Sequence, residues 1–443
     1  MMRLTADDAA ALLQSAGMRS GEAEGKGQLF ARAQKALRGR GVPDGRPVRA
    51  WFVPGRLEVF GKHTDYAGGR SLLCALERGY AVVAAGRDDA DINIADARDG
   101  SVVHVGDAEG AADWAIYPLT VARRLARNFP EATLGADVAF ESDLPAAAGM
   151  SSSSALMIAV FLVLASVNGI HTLDRYRSEI GTTEQLAGYL ATIENGRDFG
   201  SLTGGSGVGT FGGSEDHTAI LCCRAGELAQ YAFAPTQRER TVPLGSEWLF
   251  AIAASGIAAE KTGAARSAYN DAAERAARIL EVWRTETGRD APSVAAAIGH
   301  DKSAPDRIRE LLDARDSRLR DRFDQFVEES ERIVPEAADS IAAGRIDRIG
   351  PLADRSQELA ERVLGNQVPE TIALARSARQ SGAIASSAFG AGFGGSVWAL
   401  IRAADADVFL ERWSSEYRRG FPAAARRAAF FTTRPGPAAL QLL

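Results

Sequence analysis

Apolar and polar positions along the chain predict strands and helices mixed through both halves. Residues 48–53 and 56–60 show strand-like patterns separated by Pro54 and Gly55. Further strands or strand-like apolar runs lie at 72–75, 80–85, 92–95, 102–105, 136–140, 218–223, 248–255, 383–389, 396–401 and 428–433. Helices are predicted at 114–129, 155–167, 183–199 and 404–417, within 1–45, and through most of 264–381 with breaks at Pro292, Pro305 and Pro351. This mixture predicts an α+β fold.

The stretch from Pro145 to Ala155 has the features of an anion site at the start of a helix. It follows the predicted strand at 136–140, and it contains small residues and the serines Ser151–Ser154 before the apolar run 155–167. Free backbone N–H groups and the positive end of the helix dipole converge at such a point, and phosphate is a natural occupant. The alternative is a serine that simply caps the helix with its side chain.

A second stretch, residues 200–214, contains seven glycines in fifteen positions and runs directly into Glu215, Asp216 and His217. Its composition is compatible with a flexible linker. A flexible loop that delivers a carboxylate to the edge of a strand at 218–223 is equally typical of an active site. The sequence leaves these two interpretations open.

Bulk composition restricts the class of protein. A chain of 443 residues is long enough for two domains, and its 46% hydrophobic and 24% charged residues are ordinary for a soluble globular protein. The formal net charge of −6 argues against a nucleic-acid partner. No targeting signal or membrane-spanning stretch is recognisable, and Cys74, Cys222 and Cys223 form no disulfide framework. A cytoplasmic protein with reduced thiols is therefore expected.

Three separated motifs resemble those of the GHMP kinases. Residues 54–69 (PGRLEVFGKHTDYAGG) resemble the galactokinase signature PGRVNLIGEHTDYxGG. Residues 145–155 resemble the second family motif, PxxxGLSSSA, and residues 390–396 resemble the third, GxGFGGC. The order and spacing of the motifs suit the family from about residue 26 to residue 435. The first motif narrows the resemblance to the galactokinase-like branch.

The resemblance implies two α+β domains with the active site in the cleft between them. The expected divisions are an N-terminal extension at 1–25, a kinase N-terminal domain at 26–240 and a kinase C-terminal domain at 241–443. The family transfers the γ-phosphoryl group of ATP, with Mg²⁺, to a sugar hydroxyl, usually the anomeric one. The expected partners are therefore ATP and a small sugar, with no nucleic acid and no membrane. The sequence does not determine the oligomeric state.

The resemblance also carries functional roles onto individual positions. It places the catalytic aspartate on Asp216 and the catalytic arginine on Arg56. Asp216 would accept or orient the hydroxyl proton, and Arg56 would keep the carboxylate ionised and offset charge on the moving phosphoryl group. It places the magnesium ligands on Ser153 and Glu194, whose oxygens suit this ion. Considered alone, Asp216 could instead be a turn residue, Arg56 a surface charge and Glu194 a solvated helix carboxylate.

Two further sets of residues follow from the same motifs. The expected nucleotide contacts are Ala147, Ala148, Gly149, Met150, Ser151, Ser152 and Ser153. The expected sugar contacts are Lys62, His63, Thr64, Asp65 and Tyr269. Hydroxyl, imidazole and carboxylate groups can all bind sugar hydroxyls. Ordering of their own loop is the alternative role for His63 and Asp65, and a core aromatic is the alternative for Tyr269.

Two positions of the first motif differ from the family pattern. Lys62 replaces a glutamate that contacts a sugar hydroxyl near C6 in the family, and Glu58 replaces an asparagine. Lys62 either binds a carboxylate at C6, which would favour a uronic acid such as galacturonate, or pairs with Glu58. The predicted function is an ATP-dependent kinase for galactose or a related sugar. A non-catalytic sugar and ATP sensor on the same fold is the alternative, and the retention of Arg56 and Asp216 favours the enzyme.

Overall fold

The computed structural model describes residues 4–43, 45–106, 113–259 and 263–443. The helices are α1 Ala6–Ser15, α2 Ser20–Gly39, α3 Ile116–Asn128, α4 Ser152–Val167, α5 Asp174–Glu179, α6 Thr183–Asn195, α7 Glu215–Cys222, α8 Gly263–Thr287, α9 Val294–Ile298, α10 Ala304–Asp313, α11 Ser317–Val327, α12 Val334–Ala342, α13 Ile349–Leu359, α14 Pro369–Gln380 and α15 Ala406–Gly420. The strands are β1 Val48–Phe60, β2 Arg70–Gly86, β3 Ile92–Asp96, β4 Val102–His104, β5 Ala136–Ser142, β6 Glu227–Ala232, β7 Gln237–Pro243, β8 Trp248–Ala254, β9 Ala385–Phe389, β10 Ser396–Arg402, β11 Ala429–Thr433 and β12 Leu440–Gln441. The predicted α+β class is confirmed.

The amino-terminal half is built on a sheet whose main strand order is β12-β1-β2-β5-β3-β4, with β6 on β2 and β7 on β6. Strands β1 and β2 form one long antiparallel pair, from Val48 opposite Ala85 to Phe60 opposite Leu72. The four short strands predicted at 48–53, 56–60, 72–75 and 80–85 are therefore two long ones. Pro54 does not end β1, because it lies at a shift of register between Pro54 and Arg56, where a proline is tolerated within a sheet.

Helices cover the sheet of the amino-terminal half. Residues of α1 and α2, including Phe30, pack in one apolar cluster with Phe52 and Val83 of the sheet. Helix α4 is buried along its length from Ser154 to Ala165 and packs in the main core. The predicted division at residue 25 falls inside α2. Residues 4–25 are thus part of this packing and not a separate extension.

A second sheet, in the order β11-β8-β10-β9, forms the centre of the carboxyl-terminal half. Strands β9 and β10 are antiparallel neighbours, joined by the glycine-rich residues 390–395. The predicted division at residue 240 falls inside β7, which belongs to the first sheet. The chain end also returns to that sheet, since Gln441 of β12 lies opposite Trp51 of β1. The two halves are therefore not two simple consecutive segments.

One local prediction was wrong, and two strands were missed. Residues 218–223 belong largely to helix α7 and not to a strand, because a short apolar run does not distinguish the two. Strands β6 and β7 were not predicted, since the polar, largely exposed β7 lacks an apolar pattern. The helix breaks predicted at Pro305 and Pro351 fall just before these residues, between α9 and α10 and between α12 and α13. Both prolines lie in the first turn of the helix that follows, where a missing N–H costs little. Across the described ranges no helix has both the length and the apolar character needed to span a membrane.

Candidate active site

A cavity of about 740 Å³ is lined by residues from both halves of the molecule. Most of its wall comes from the amino-terminal half, and Ala259, Tyr269, Gly390 and Ala391 contribute from the carboxyl-terminal half. Two loops predicted to be functional, residues 61–69 and residues 145–153, contribute to its lining. We call them the 61–69 loop and the phosphate loop. The cleft therefore gathers residues that lie more than 300 positions apart in the sequence.

The phosphate loop delivers the start of α4 to the cavity. Ala147, Gly149 and Ser151 all have left-handed backbones, with φ of 48°, 73° and 57°. Ser151 precedes α4 but makes no side-chain capping bond to it. Serine capping, the alternative interpretation of this stretch, is therefore not what the described chain adopts. Because a capping side chain does not occupy the first N–H groups of α4, they are suited to bind an anion.

The predicted nucleotide contacts divide into two groups. Those that line the cavity are Ala147, Gly149, Ser151, Ser152 and Ser153. Ala148 and Met150 are instead buried in the core, with 6% and 1% of their surfaces exposed. Their carbonyl groups hold the loop, since Ala148 O accepts a 2.6 Å bond from Ser396 Oγ and Met150 O accepts a 3.3 Å bond from Arg56 N. Any nucleotide contact of these two residues would therefore come from the backbone, and the predicted contacts stay predictions.

The glycine-rich turn between β9 and β10 packs directly on the phosphate loop. A Cβ atom on Gly390, whose φ is +80°, would lie 2.7 Å from Gly149 O. A Cβ atom on Gly149 would lie 3.5 Å from the Cα of Gly395. The third motif thus contains glycine where backbone meets backbone, and this contact joins the two halves beside the predicted anion site.

Arg56 and Asp216 form an ion pair in the cavity wall. Arg56 Nε donates to Asp216 Oδ1 at 2.8 Å, and Arg56 Nη1 donates to Gly149 O at 2.7 Å. The Arg56 side chain is 5% exposed and the Asp216 side chain 18% exposed. Burial alone would lower the pKa of Arg56, but the negative charges of Asp216, Glu58 and Glu215 outweigh burial and raise it. The arginine therefore remains charged, and it favours the ionised form of Asp216.

Glu194 lies beside this pair at the end of α6. Its Oε2 accepts a 2.8 Å bond from Ser154 Oγ, and Ser154 Oγ also lies 3.4 Å from Asp216 Oδ2. His217 Nε2 is 3.6 Å from the same Glu194 oxygen. Ser154, one residue after the predicted Ser153, thus contacts Glu194, and Ser153 also lines the cavity. The described residues contain no group of three or more His, Cys, Asp or Glu side chains arranged to hold a metal.

Two buried carboxyl groups lie behind Arg56. Burial raises the pKa of Glu58 to about 7, although Arg56 and Lys62 act in the opposite direction. Burial, followed by the charge of Glu58, raises the pKa of Glu215 well above its usual range. Ser71 Oγ donates to Glu215 Oε2 at 2.5 Å. The charge of Glu58 disfavours the charge of Glu215, so ionising both of these buried carboxyl groups is costly.

Lys62 and Thr64 do not reach the cavity. Lys62 is only 1% exposed, and its ammonium donates to Ser356 Oγ and Ser387 Oγ at 2.8 Å each. Thr64 Oγ1 donates to backbone carbonyls within and beside its own loop. The predicted sugar contacts by these two side chains are corrected, because both serve to fix the loop. The predicted ion pair between Lys62 and Glu58 is not formed either, since Lys62 contacts the two serines of the other half.

The remaining predicted sugar contacts come together at one end of the cavity. Asp65, His63 and Tyr269 all line it, and the rings of His63 and Tyr269 are 5.5 Å apart. Asp65 Oδ2 accepts a 3.3 Å bond from Glu215 N, the first residue of α7. The 61–69 loop therefore fixes the helix that carries Asp216, and it exposes a carboxylate to the cavity.

His63 is held as a neutral imidazole. Its Nδ1 lies 2.9 Å from Tyr66 Oη, and its Nε2 lies 3.2 Å from Asn366 Nδ2 and from Ala391 O. Burial, and then the charge of Arg322, lower the pKa of His63 to about 4. At neutral pH His63 can therefore accept or donate a hydrogen bond without carrying a charge.

The opposite end of the cavity is aromatic, and sequence reasoning did not identify it. Trp114 and Phe140 meet edge to face with ring centres 5.3 Å apart, and Tyr80 lies 5.6 Å from Phe140. Tyr117, Asp96 and Arg98 complete this end. The residues come from β2, β3, α3, β5 and the segments next to them, so no local motif connects them. An apolar slot next to an anion site is suited to a planar base attached to phosphates.

Comparisons with known protein families agree with the motifs. The family described as "Galactokinase galactose-binding signature" matches residues 43–86. "GHMP kinases N terminal domain" matches residues 117–205, and "GHMP kinases C terminal" matches residues 337–419. A galactokinase of Exiguobacterium sibiricum is 25% identical over 412 residues, which cover 88% of this chain and 93% of the relative. A galactokinase of Chloroflexus aggregans is 27% identical over 383 residues, which cover 84% of this chain and 88% of the relative.

Solved structures share the fold. A Lactococcus lactis galactokinase complexed with galactose superposes with a TM-score of 0.76 at 22% identity, covering 93% of this chain and 99% of that one. A mevalonate kinase of L. major in complex with R-mevalonate has a TM-score of 0.54 at 13% identity, covering 87% of this chain and 96% of that one. The motifs, the matched family signatures and the shared fold lead to one conclusion. The chain is a galactokinase-like member of the GHMP kinase superfamily, a phosphotransferase with an alcohol group as acceptor.

Proposed function

We propose that this protein transfers the γ-phosphoryl group of ATP to the anomeric hydroxyl of galactose or a closely related neutral sugar. The observation that carries the proposal is the Arg56–Asp216 ion pair, which lines the cleft directly beside the phosphate loop and the start of α4. An acceptor hydroxyl beside Asp216 would lie next to a phosphate held at α4. Phosphoryl transfer requires mainly this kind of positioning and charge stabilisation. The relatives named galactokinase and the matched galactose-binding signature support the sugar class.

Asp216 is the proposed base. Arg56 Nε holds its Oδ1, and its Oδ2, which lies 3.4 Å from Ser154 Oγ, would accept the proton of the sugar hydroxyl. The hydroxyl oxygen would then bond to the γ-phosphorus of ATP as the bond from that phosphorus to the β,γ-bridging oxygen breaks and ADP leaves. Arg56 has two proposed tasks. It keeps Asp216 ionised, and through Gly149 O it ties the base to the phosphate loop, where negative charge moves during transfer.

The nucleotide would occupy the rest of the cleft. Its phosphates would bind Gly149 and Ser151–Ser153 at the start of α4, and its base would enter the slot formed by Tyr80, Trp114 and Phe140. We also propose that Mg²⁺ accompanies ATP, held by Glu194 and a hydroxyl of Ser153 or Ser154. One carboxylate and one hydroxyl are a fitting donor set, because magnesium usually binds few protein ligands together with phosphates and water. Bound magnesium would neutralise charge on the phosphates.

The cleft favours a neutral sugar over a uronic acid. Glu58, Asp65, Glu215 and Asp216 all line it. Of the two arginines that line it among the described residues, Arg56 is engaged by Asp216 and Arg98 pairs with Asp96. A sugar carboxylate at this end would approach several acidic groups. Lys62, the residue that suggested a uronic acid, is engaged by serines outside the cavity.

A cytoplasmic location is proposed as well, because the three free cysteines suit a reducing compartment.

The test is a panel of acceptors with ATP and magnesium, measured by release of ADP. Galactose or a neutral relative should be turned over far faster than galacturonate, mevalonate or homoserine. A magnesium titration of Glu194→Gln should show a raised magnesium requirement with little change in sugar affinity. Preference for galacturonate, or failure to phosphorylate any sugar, would contradict the proposal.

A further inference from the structure

The first part of the glycine-rich segment is fixed to the amino-terminal half. Val208 N donates to Glu194 O at 2.8 Å, and Gly205 N donates to Gly196 O at 3.0 Å. Asn128 Nδ2 donates to Thr203 O at 3.0 Å. These bonds tie residues 203–208 to α3 and to the end of α6. The segment is therefore a defined structure in the described chain and not a free linker.

The next residues are held from the other half. Asn270 of α8 donates from Nδ2 to Gly209 O at 3.1 Å, and its Oδ1 accepts from Phe211 N at 3.1 Å. Of the polar side chains, a carboxamide is the one suited to such a pair, since it offers a donor and an acceptor side by side. Asn195 of the amino-terminal half also holds this segment, since its Nδ2 donates to Gly212 O at 3.0 Å.

The residues held in this way form part of the acceptor end of the cleft. A Cβ atom on Gly212 would lie 2.9 Å from Tyr269 Oη, and a Cβ atom on Gly213 would lie 2.5 Å from Asp65 Oδ2. The backbone of Gly212 and Gly213 is thus packed against two proposed sugar contacts. The chain then enters α7, which carries Asp216 in its first turn. Any displacement of this backbone would move the base relative to the acceptor.

We infer that Asn270 is a positioning residue: its carboxamide clamps Gly209–Phe211 to the carboxyl-terminal half and thereby sets the acceptor end of the cleft. The inference deepens the proposed function and rests on it. Asn270 neighbours Tyr269 on α8, so this helix both contributes to the sugar pocket and fixes the backbone of Gly209–Phe211. The clamp should therefore affect the sugar more than the nucleotide, which is proposed to bind at the other end.

The experiment compares Asn270→Leu, Asn270→Asp and the control Glu274→Ala on the full chain. Leucine removes both bonds, aspartate keeps the acceptor for Phe211 N, and Glu274 is an exposed residue of the same helix. Two lost hydrogen bonds predict a fall of about tenfold in kcat/KM for the sugar in Asn270→Leu. The KM for ATP should not change, Asn270→Asp should be intermediate, and Glu274→Ala should match the unmodified protein.

Amide hydrogen exchange of the segment 204–214 provides a readout that does not depend on activity. Faster exchange around Phe211 in Asn270→Leu, with Val208 unaffected, supports the clamp. Unchanged exchange would overturn the clamp. Equal losses of kcat/KM for the sugar and for ATP, in proportion to a lowered melting temperature, would overturn it as well. If Asn270→Leu folds poorly, Asn270→Asp decides by the same criteria. Absence of sugar phosphorylation by the unmodified protein would instead overturn the proposed function, and exchange would still show whether the clamp exists.

Discussion

The phosphate loop and the 61–69 loop line the same cleft but are held by different kinds of contact. The phosphate loop is held mainly through its backbone carbonyls. Ala147 O accepts from Ala259 N at 2.7 Å, and Ala148 O accepts from Ser396 Oγ at 2.6 Å. The 61–69 loop is held by buried charged groups. Glu329 Oε1 accepts from Gly61 N at 2.9 Å, and Arg322 Nη2 donates to His63 O at 2.6 Å.

The difference indicates how each loop should respond to substitution. A loop held through backbone contacts requires small residues where another backbone segment packs against it, and it tolerates substitutions elsewhere. A loop held by buried charges is sensitive to each partner, because an unpaired buried charge is costly. Glu329 is fully buried and Arg322 is 1% exposed, and both lie in the carboxyl-terminal half. The 61–69 loop thus depends on the two halves being correctly assembled.

The largest expected effect is at Asp216, which is connected to both loops. Arg56 joins it to Gly149 of the phosphate loop, and its neighbour Glu215 donates to Asp65 of the 61–69 loop. Asp216→Ala should lower kcat by about a thousandfold, because the base is lost while both binding loops remain. Nucleotide affinity should stay close to that of the unmodified protein. Turnover and ATP binding measured side by side provide the check, with the isosteric Asp216→Asn as a control for packing. Near-normal turnover in a folded variant would remove Asp216 from the catalytic role.

Gly390→Ala should damage the phosphate loop selectively. The new methyl group would meet Gly149 O at 2.7 Å, at a backbone φ of +80° that alanine rarely adopts. We expect the KM for ATP to rise by about tenfold or more, as a displaced phosphate site loses hydrogen bonds. The KM for the sugar should change less. Gly420→Ala, at an open position with no atom within 4 Å of the added carbon, is the matched control. Equal effects on both substrates would show that the two loops are not independent.

Glu329→Gln should have the opposite selectivity. The change keeps the shape but removes a buried negative charge that accepts from Gly61 N and Ser356 Oγ. We expect a rise of several-fold, up to about tenfold, in the KM for the sugar and a lower melting temperature, with the KM for ATP unchanged. Glu336→Gln, on an exposed part of the following helix, serves as the control. A larger effect on ATP than on the sugar would contradict the comparison.

The last prediction concerns stability and its pH dependence. His63 has a pKa of about 4 in the folded protein, below its usual value, because of burial and then Arg322. The unfolded chain therefore binds a proton on His63 more readily than the folded protein does. The unfolding free energy is highest above the ordinary histidine pKa, and it falls as the pH decreases toward the pKa of His63 in the folded protein. His63→Asn does not titrate, and asparagine tolerates the φ of +58° at this position.

Between pH 7 and pH 5 the unmodified protein should lose about 2 kcal/mol more unfolding free energy than His63→Asn. Denaturant unfolding of both proteins at the two pH values measures this difference. Parallel pH dependence in the two proteins would show that His63 is not held neutral.

The contrast between the loops also explains what could be predicted from the sequence. The phosphate loop and the third motif were recognisable because their chemistry is local: small residues, serines and glycines at the start of a helix. The α+β class followed from the strong patterns of β5, α4 and β8. The Arg56–Asp216 pair was anticipated from the family resemblance and not from spacing, since 160 positions separate the two residues.

Other features depend on contacts that a linear pattern does not contain. Lys62 appeared to be a sugar contact, but its partners Ser356 and Ser387 lie about 300 positions away. Ser154 donates to Glu194, because the rotation of α4 turns this serine toward α6. The aromatic slot is assembled from separate elements, and the bonds of Asn270 to the glycine-rich segment join two halves. Each of these depends on tertiary packing.

Identification of the product by NMR tests the central claim most directly. The full-length protein is incubated with ATP, magnesium and galactose, and the phosphorylated position of the sugar is determined beside a parallel reaction with Asp216→Asn. The account predicts galactose 1-phosphate from the unmodified protein and almost none from the variant. Phosphate on a different hydroxyl, or equal amounts of product from the two proteins, would contradict it.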